Sequence, residues 1–111
     1  MNSSTYSPSE PTRAEVDGYA GPTVLDFGTN WCGWCRSAQP MIVAALVSHP
    51  EVRHLKVEDG PGRPLGRSFR VKLWPTLIFL KDGQEVARVV RPANVDELNQ
   101  ALAKITDSVQ A

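Results

Sequence analysis

The chain holds two cysteines, Cys32 and Cys35, separated only by Gly33 and Trp34. Thiols at this spacing can exchange disulfides, bind a metal or pack inertly. On a helix, positions i and i+3 share one face, within reach of a short-range disulfide. A cysteine at the helix start faces unpaired backbone amides and the positive end of the dipole, both of which stabilise a thiolate. A cysteine one turn further in is more shielded and acts second. Cys32 would then attack a disulfide, and Cys35 would resolve the mixed disulfide. A structural zinc site needs four ligands, and only His49 and His54 are left to complete one, without finger-type spacing. Disulfide exchange is the favoured chemistry, with no metal.

The elements around the pair place it at a strand-to-helix junction. Thr12-Arg-Ala-Glu15 fits a capping box for a short helix that stops near Gly18 to Gly21. Thr23-Val-Leu-Asp-Phe27 is a β-prone apolar run with one acid inside it, bounded by Pro22 and Gly28. Beyond the cysteines, Ala38, Met41, Ile42, Ala45 and Leu46 recur at helical spacing, with Pro40 predicting a kink. Val52 to Val57 alternates as a strand, a Gly/Pro loop follows, and Leu65 to Arg70 reads as a short helix. Thr76 to Leu80 and Glu85 to Val90 form a hairpin about Asp82-Gly83. Asn94 caps a last helix with Leu98, Ala101, Leu102 and Ile105 inward. This order predicts an α/β sandwich around a mixed sheet.

Composition sets the outer bounds. The 111 residues suit one domain, and 12 basic residues cancel 12 acidic ones. A neutral total argues against an electrostatic nucleic-acid binder. No apolar run approaches the roughly 20 residues of a membrane span, and two cysteines cannot make a secreted disulfide framework. Residues 1–11 are rich in Ser and Pro and read as a flexible tail, leaving 12–111 as the domain. That tail lacks the apolar and basic regions of a secretory signal, and its initial Met points to the cytoplasm. From Arg53 to Lys72 the six bases Arg53, Lys56, Arg63, Arg67, Arg70 and Lys72 outnumber Glu58 and Asp59. A solvated face is the plain reading, and a docking site for an acidic partner the sharper one.

Asp26-Phe27, Trp31-Cys-Gly-Trp-Cys35, Pro40 and Trp74-Pro75-Thr76 stand in the order and at the spacing found in thioredoxins. The chain resembles that family over about residues 12–110. The resemblance implies the thioredoxin fold, a three-layer α/β/α sandwich with a central mixed sheet and a cis-proline. It implies that Cys32 is the nucleophile and Cys35 the resolving thiol. Asp26 matches a buried carboxylate that takes and returns the Cys35 proton, directly or through water. An ionised acid in an apolar strand needs a partner, and Lys56 matches a lysine that approaches it. Pro75 matches the cis-proline that opens the Trp74 backbone for strand-like pairing with substrate and keeps metal ligands from the thiols.

Departures from the family bear on partner choice. Gly33-Trp34 replaces the common Gly-Pro, Gly28 stands where an aromatic is usual, and bulky Trp74 precedes Pro75. Arg91, followed by Pro92, occupies the place of a loop glycine. Trp31, Trp34 and Trp74 would surround the cysteines as an aromatic recognition surface, with core packing as the competing reading, strongest for Trp31. Gly33, Thr76 and Arg91 complete the candidate substrate-binding set. The implied activity is thiol–disulfide oxidoreduction that serves electron transport and cell redox homeostasis. A monomer would reduce protein disulfides with no cofactor beyond its own Cys32–Cys35 pair, re-reduced by a thioredoxin-reductase-type donor, without nucleic acid or membrane. Two alternatives stay open: a disulfide oxidase or isomerase, and a non-catalytic binding module using the tryptophan surface.

Overall fold

The computed structural model describes residues 5–106. Its elements run α1 (Arg13–Asp17), β1 (Pro22–Gly28), α2 (Gly33–Val47), β2 (Arg53–Glu58), α3 (Pro64–Ser68), β3 (Thr76–Lys81), β4 (Gln84–Val90) and α4 (Val95–Thr106). This is the anticipated order. Local chemistry explains the boundaries. Thr12 and Glu15 form both halves of a capping box on α1, and the Asn94 side chain accepts the Glu97 amide at 3.1 Å as α4 begins. Helix α2 continues through Pro40, whose ring lacks the N–H that would bond the Arg36 carbonyl.

The four strands lie in the order β2-β1-β3-β4. β1 runs parallel to β2 and antiparallel to β3, and β3 pairs antiparallel with β4. Because side chains alternate along β1, Val24 and Asp26 point one way and Leu25 and Phe27 the other. Val24 joins Ile42, Leu77, Phe79, Leu98 and Leu102 in the layer under α2 and α4. Leu25 and Phe27 join Val16, Val57, Leu65, Phe69 and Ile78 under α1 and α3. Each fully buried large side chain contributes roughly 1.5–3 kcal/mol of transfer free energy. Asp26 therefore sits on the α2 side of the central strand, fully buried and opposite Lys56 on β2.

Residues 5–11 differ from the expected flexible tail; residues 1–4 lie outside the described residues. Ser7 forms a parallel bridge with Val57. Its amide donates to the Lys56 carbonyl at 2.9 Å, and the Glu58 amide donates to its carbonyl at 3.0 Å. Tyr6 is only 4% exposed. Composition pointed to a tail because one aromatic among serines and prolines gives no periodic signal; the open edge of β2 supplies its partner. The same covering explains why β2 does not alternate cleanly: Lys56 and Val57 are both buried. Among the described residues, no helix is long and apolar enough to cross a membrane.

Candidate active site

β1 ends at Gly28, and the following turn delivers Cys32 to the N-cap of α2. The Cys32 sulfur accepts the Cys35 backbone N–H at 3.1 Å. It occupies the place where a capping oxygen would satisfy a free amide. Cys32 is 8% exposed and Cys35 1%; both are free thiols. Burial and the neighbouring Cys32 sulfur push the Cys35 thiol up to about 12, although the Thr29 backbone and the Tyr6 hydroxyl pull the other way.

Beneath the thiols, Lys56 lies near enough to Asp26 for their charges to interact but does not bond it directly. The Lys56 ammonium bonds the Gln39 amide oxygen and lies 4.2 Å from the centre of the Tyr6 ring. Burial holds the Lys56 ammonium below its usual range, with the charges of Asp26 and Cys35 opposing that shift. Tyr6 donates its hydroxyl to Asp26 Oδ1 at 2.8 Å, and His54 Nε2 stands 3.5 Å from Oδ2. Tyr6 and His54 are the residues that sequence reasoning missed around Asp26. One signal was present. At Gly28, where the family carries an aromatic, a Cβ would lie 2.5 Å from Cys35 Sγ and 2.8 Å from Tyr6 Cζ. The missing side chain at 28 is replaced in space by the ring of residue 6.

Around the thiols the tryptophans take separate positions. Trp31 is 72% exposed and Trp34 58%, so Trp31 is no core residue. Trp31 stands edge-on to Trp74 with ring centres 5.5 Å apart, and the Trp74 indole donates to Asp59 Oδ2 at 2.8 Å. The Trp74–Pro75 peptide bond is cis. The Arg91 guanidinium lies 4.5 Å from the Trp34 ring centre, and its Nε donates to the Trp74 carbonyl at 2.8 Å. That carbonyl, expected to be open for strand-like pairing, is thus engaged from within. Thr76 is buried and its hydroxyl donates to the Leu73 carbonyl at 2.6 Å; it braces the loop and is not open to a substrate. Gly33 is exposed in the first turn of α2. Of the six bases between Arg53 and Lys72, Lys56 is buried, Arg53 stacks on Tyr19, and Arg63 pairs with Glu58 at 3.5 Å.

A mixed four-stranded sheet between helices, with two thiols at a helix start packed beside the Trp74 of a cis Trp74–Pro75 bond, defines a thiol–disulfide oxidoreductase of the thioredoxin fold. The thioredoxin family model matches residues 9–104, and the chain belongs to that family. Thioredoxin H-type 1 of Nicotiana tabacum is 38% identical over 81 residues, covering 73% of this chain and 64% of that longer relative. A thioredoxin of Chlamydia trachomatis serovar D is 37% identical over 86 residues, 77% of this chain and 83% of its own. The structure of thioredoxin 2 from Pseudomonas aeruginosa PAO1 in its reduced form superposes with a TM-score of 0.83 at 57% identity. It covers 93% of this chain and 94% of its own.

Proposed function

We propose that the protein reduces protein disulfides, with Cys32 as the attacking sulfur and Cys35 as the resolving one. The observation that carries this division is their asymmetry. Cys32 caps α2, with a backbone amide aimed at its sulfur and exposed tryptophans beside it. Cys35 is sealed beneath, its thiol pushed up to about 12. A thiolate formed at Cys32 attacks one sulfur of a substrate disulfide and releases the other as a thiolate. Cys35 then displaces the bound sulfur, leaving the Cys32–Cys35 disulfide, and Asp26 takes the Cys35 proton. Trp31 and Trp34 offer an apolar face to the substrate around the disulfide, and Trp74 and Pro75 form its opposite wall. A reductase of the thioredoxin-reductase type returns the two electrons. Both cysteines lie in this one motif, a usage that suits a reducing compartment such as the cytoplasm.

The test is mixed-disulfide capture. Cys35→Ser incubated with a disulfide-bonded synthetic peptide should accumulate a stable adduct through Cys32, resolved by mass spectrometry after digestion. An adduct that forms instead on Cys35 in the Cys32→Ser variant, at equal rate, would reverse the assignment.

A further inference from the structure

The contact that the family pattern does not account for is Tyr6. Its ring enters the site from outside the four strands, carried by a segment tied down on both sides. The Tyr6 amide donates to Asn30 Oδ1 at 2.7 Å in the turn before Cys32. Ser7 exchanges two backbone bonds with β2. Between these anchors the ring packs with Cys32 and Cys35, in a space that exists only because residue 28 has no side chain. A Cβ at Gly28 would lie 2.5 Å from Cys35 Sγ and 2.9 Å from the Tyr6 hydroxyl oxygen. The thiol and the hydroxyl therefore border one small gap, and the hydroxyl's other neighbour is Asp26 Oδ1 at 2.8 Å. Cys35, Tyr6 and Asp26 form a line of three proton-carrying groups.

We propose that Tyr6 is a proton relay between Cys35 and Asp26 in the resolving step, doing with a side chain what a water molecule could otherwise do. The proposal rests on the Cys32/Cys35 division of labour above. In the mixed disulfide, the Cys35 S–H bond breaks as its proton passes to the Tyr6 oxygen, while the original Tyr6 O–H proton passes to the Asp26 carboxylate. The Cys35 sulfur attacks Cys32, the bond between Cys32 and the substrate breaks, and the substrate leaves as a thiolate. Tyr6 begins and ends neutral, Asp26 gains one proton, and the dithiol's two electrons go to the substrate sulfurs. A neutral relay suits this residue. Burial and the neighbouring Asp26 and Cys35 hold the phenol well above its usual range, so it passes a proton on without standing as a phenolate. The other titratable groups facing the site are His54, beside Asp26 Oδ2, and Lys56, over the Tyr6 ring.

The experiment uses an aromatic disulfide reagent whose released thiolate is coloured, mixed rapidly with the reduced full-length protein. Attack by Cys32 releases the first equivalent in a phase that scales with reagent concentration. Resolution by Cys35 releases the second in a phase that does not. Tyr6→Phe keeps the ring and removes the hydroxyl. It should slow the second phase about tenfold to a hundredfold near neutral pH, with the deficit shrinking as pH rises and Cys35 ionises unaided. A second phase matching the wild type's, or one slowed equally at every pH, would overturn the relay. In the unmodified protein, the second phase should show a curved proton inventory in mixed light and heavy water, because two protons move together. A linear one would overturn the proposal even if Tyr6→Phe failed to fold. Absence of the first phase at Cys32 would count against the division of labour itself, a separate failure.

Discussion

Cys32 and Cys35 are one helical turn apart and meet opposite surroundings, which makes their chemistry a matter of depth as much as of type. The free thiol of an unfolded chain titrates at about 8.5, whereas burial pushes folded Cys35 up to about 12. Between those values the unfolded state gives up a proton that the folded state keeps, so stability falls as pH rises. Below the lower value the contribution is fully retained. The slope for one proton is about 1.4 kcal/mol per pH unit. The reduced protein should therefore lose urea resistance between about pH 9 and pH 11, and Cys35→Ser should lose less over the same range. Equal losses would show that Cys35 is not the group responsible. At this scale the reactive pair and Asp26 were legible, because spacing and an acid inside an apolar run are sequence features. The partners of Asp26 were not. Lys56 sits directly opposite it in register, yet its ammonium bonds Gln39 on α2. That choice depends on how the helix lies over the sheet.

Between elements, the site is held together by Arg91, just beyond β4. Its backbone lies at φ +51, a left-handed conformation that favours glycine. Its amide donates to the Pro75 carbonyl at 3.0 Å, its Nε to Trp74, and its guanidinium covers Trp34 at the start of α2. One side chain thus ties three segments at the mouth of the site. Loss of the Trp74 bond costs roughly 0.5–1.5 kcal/mol and loss of the ring contact about 0.5–1 kcal/mol. Arg91→Ala should lower the urea midpoint by an amount equivalent to about 1–2 kcal/mol and shift Trp34 fluorescence to the red. Arg91→Lys should restore the ring contact and only part of the stability. An Ala variant as stable as the wild type would show that these contacts contribute nothing net. The sequence marked position 91 as a departure from a glycine pattern. It could not show where the side chain goes, since Trp34, Trp74 and Arg91 meet only after α2, β3 and β4 are packed.

Across the whole molecule, the segment before α1 closes the open edge of β2 and fills the gap at Gly28. Removing residues 1–8 deletes the Tyr6 ring and both Ser7 ladder bonds. Loss of a buried aromatic alone costs about 3–5 kcal/mol, and the bare edge offers unpaired backbone groups to other chains. The truncated protein should unfold at a clearly lower urea concentration and associate on concentration, followed by light scattering. A truncated chain with an unchanged midpoint would mean that the segment is an ornament of the fold.

What the sequence by itself determined was the order of elements, the redox pair and the family. All three follow from short-range patterns: periodicity, caps, turn residues and a few fixed spacings. What only the tertiary structure decided was the company these residues keep. Tyr6 reaches Asp26 across twenty positions, Arg91 reaches Trp34, and Lys56 turns from its cross-strand neighbour to Gln39. Such contacts arise when packed layers leave a space of definite shape. A glycine at position 28 records that a space exists, and the folded chain alone determines which side chain fills it.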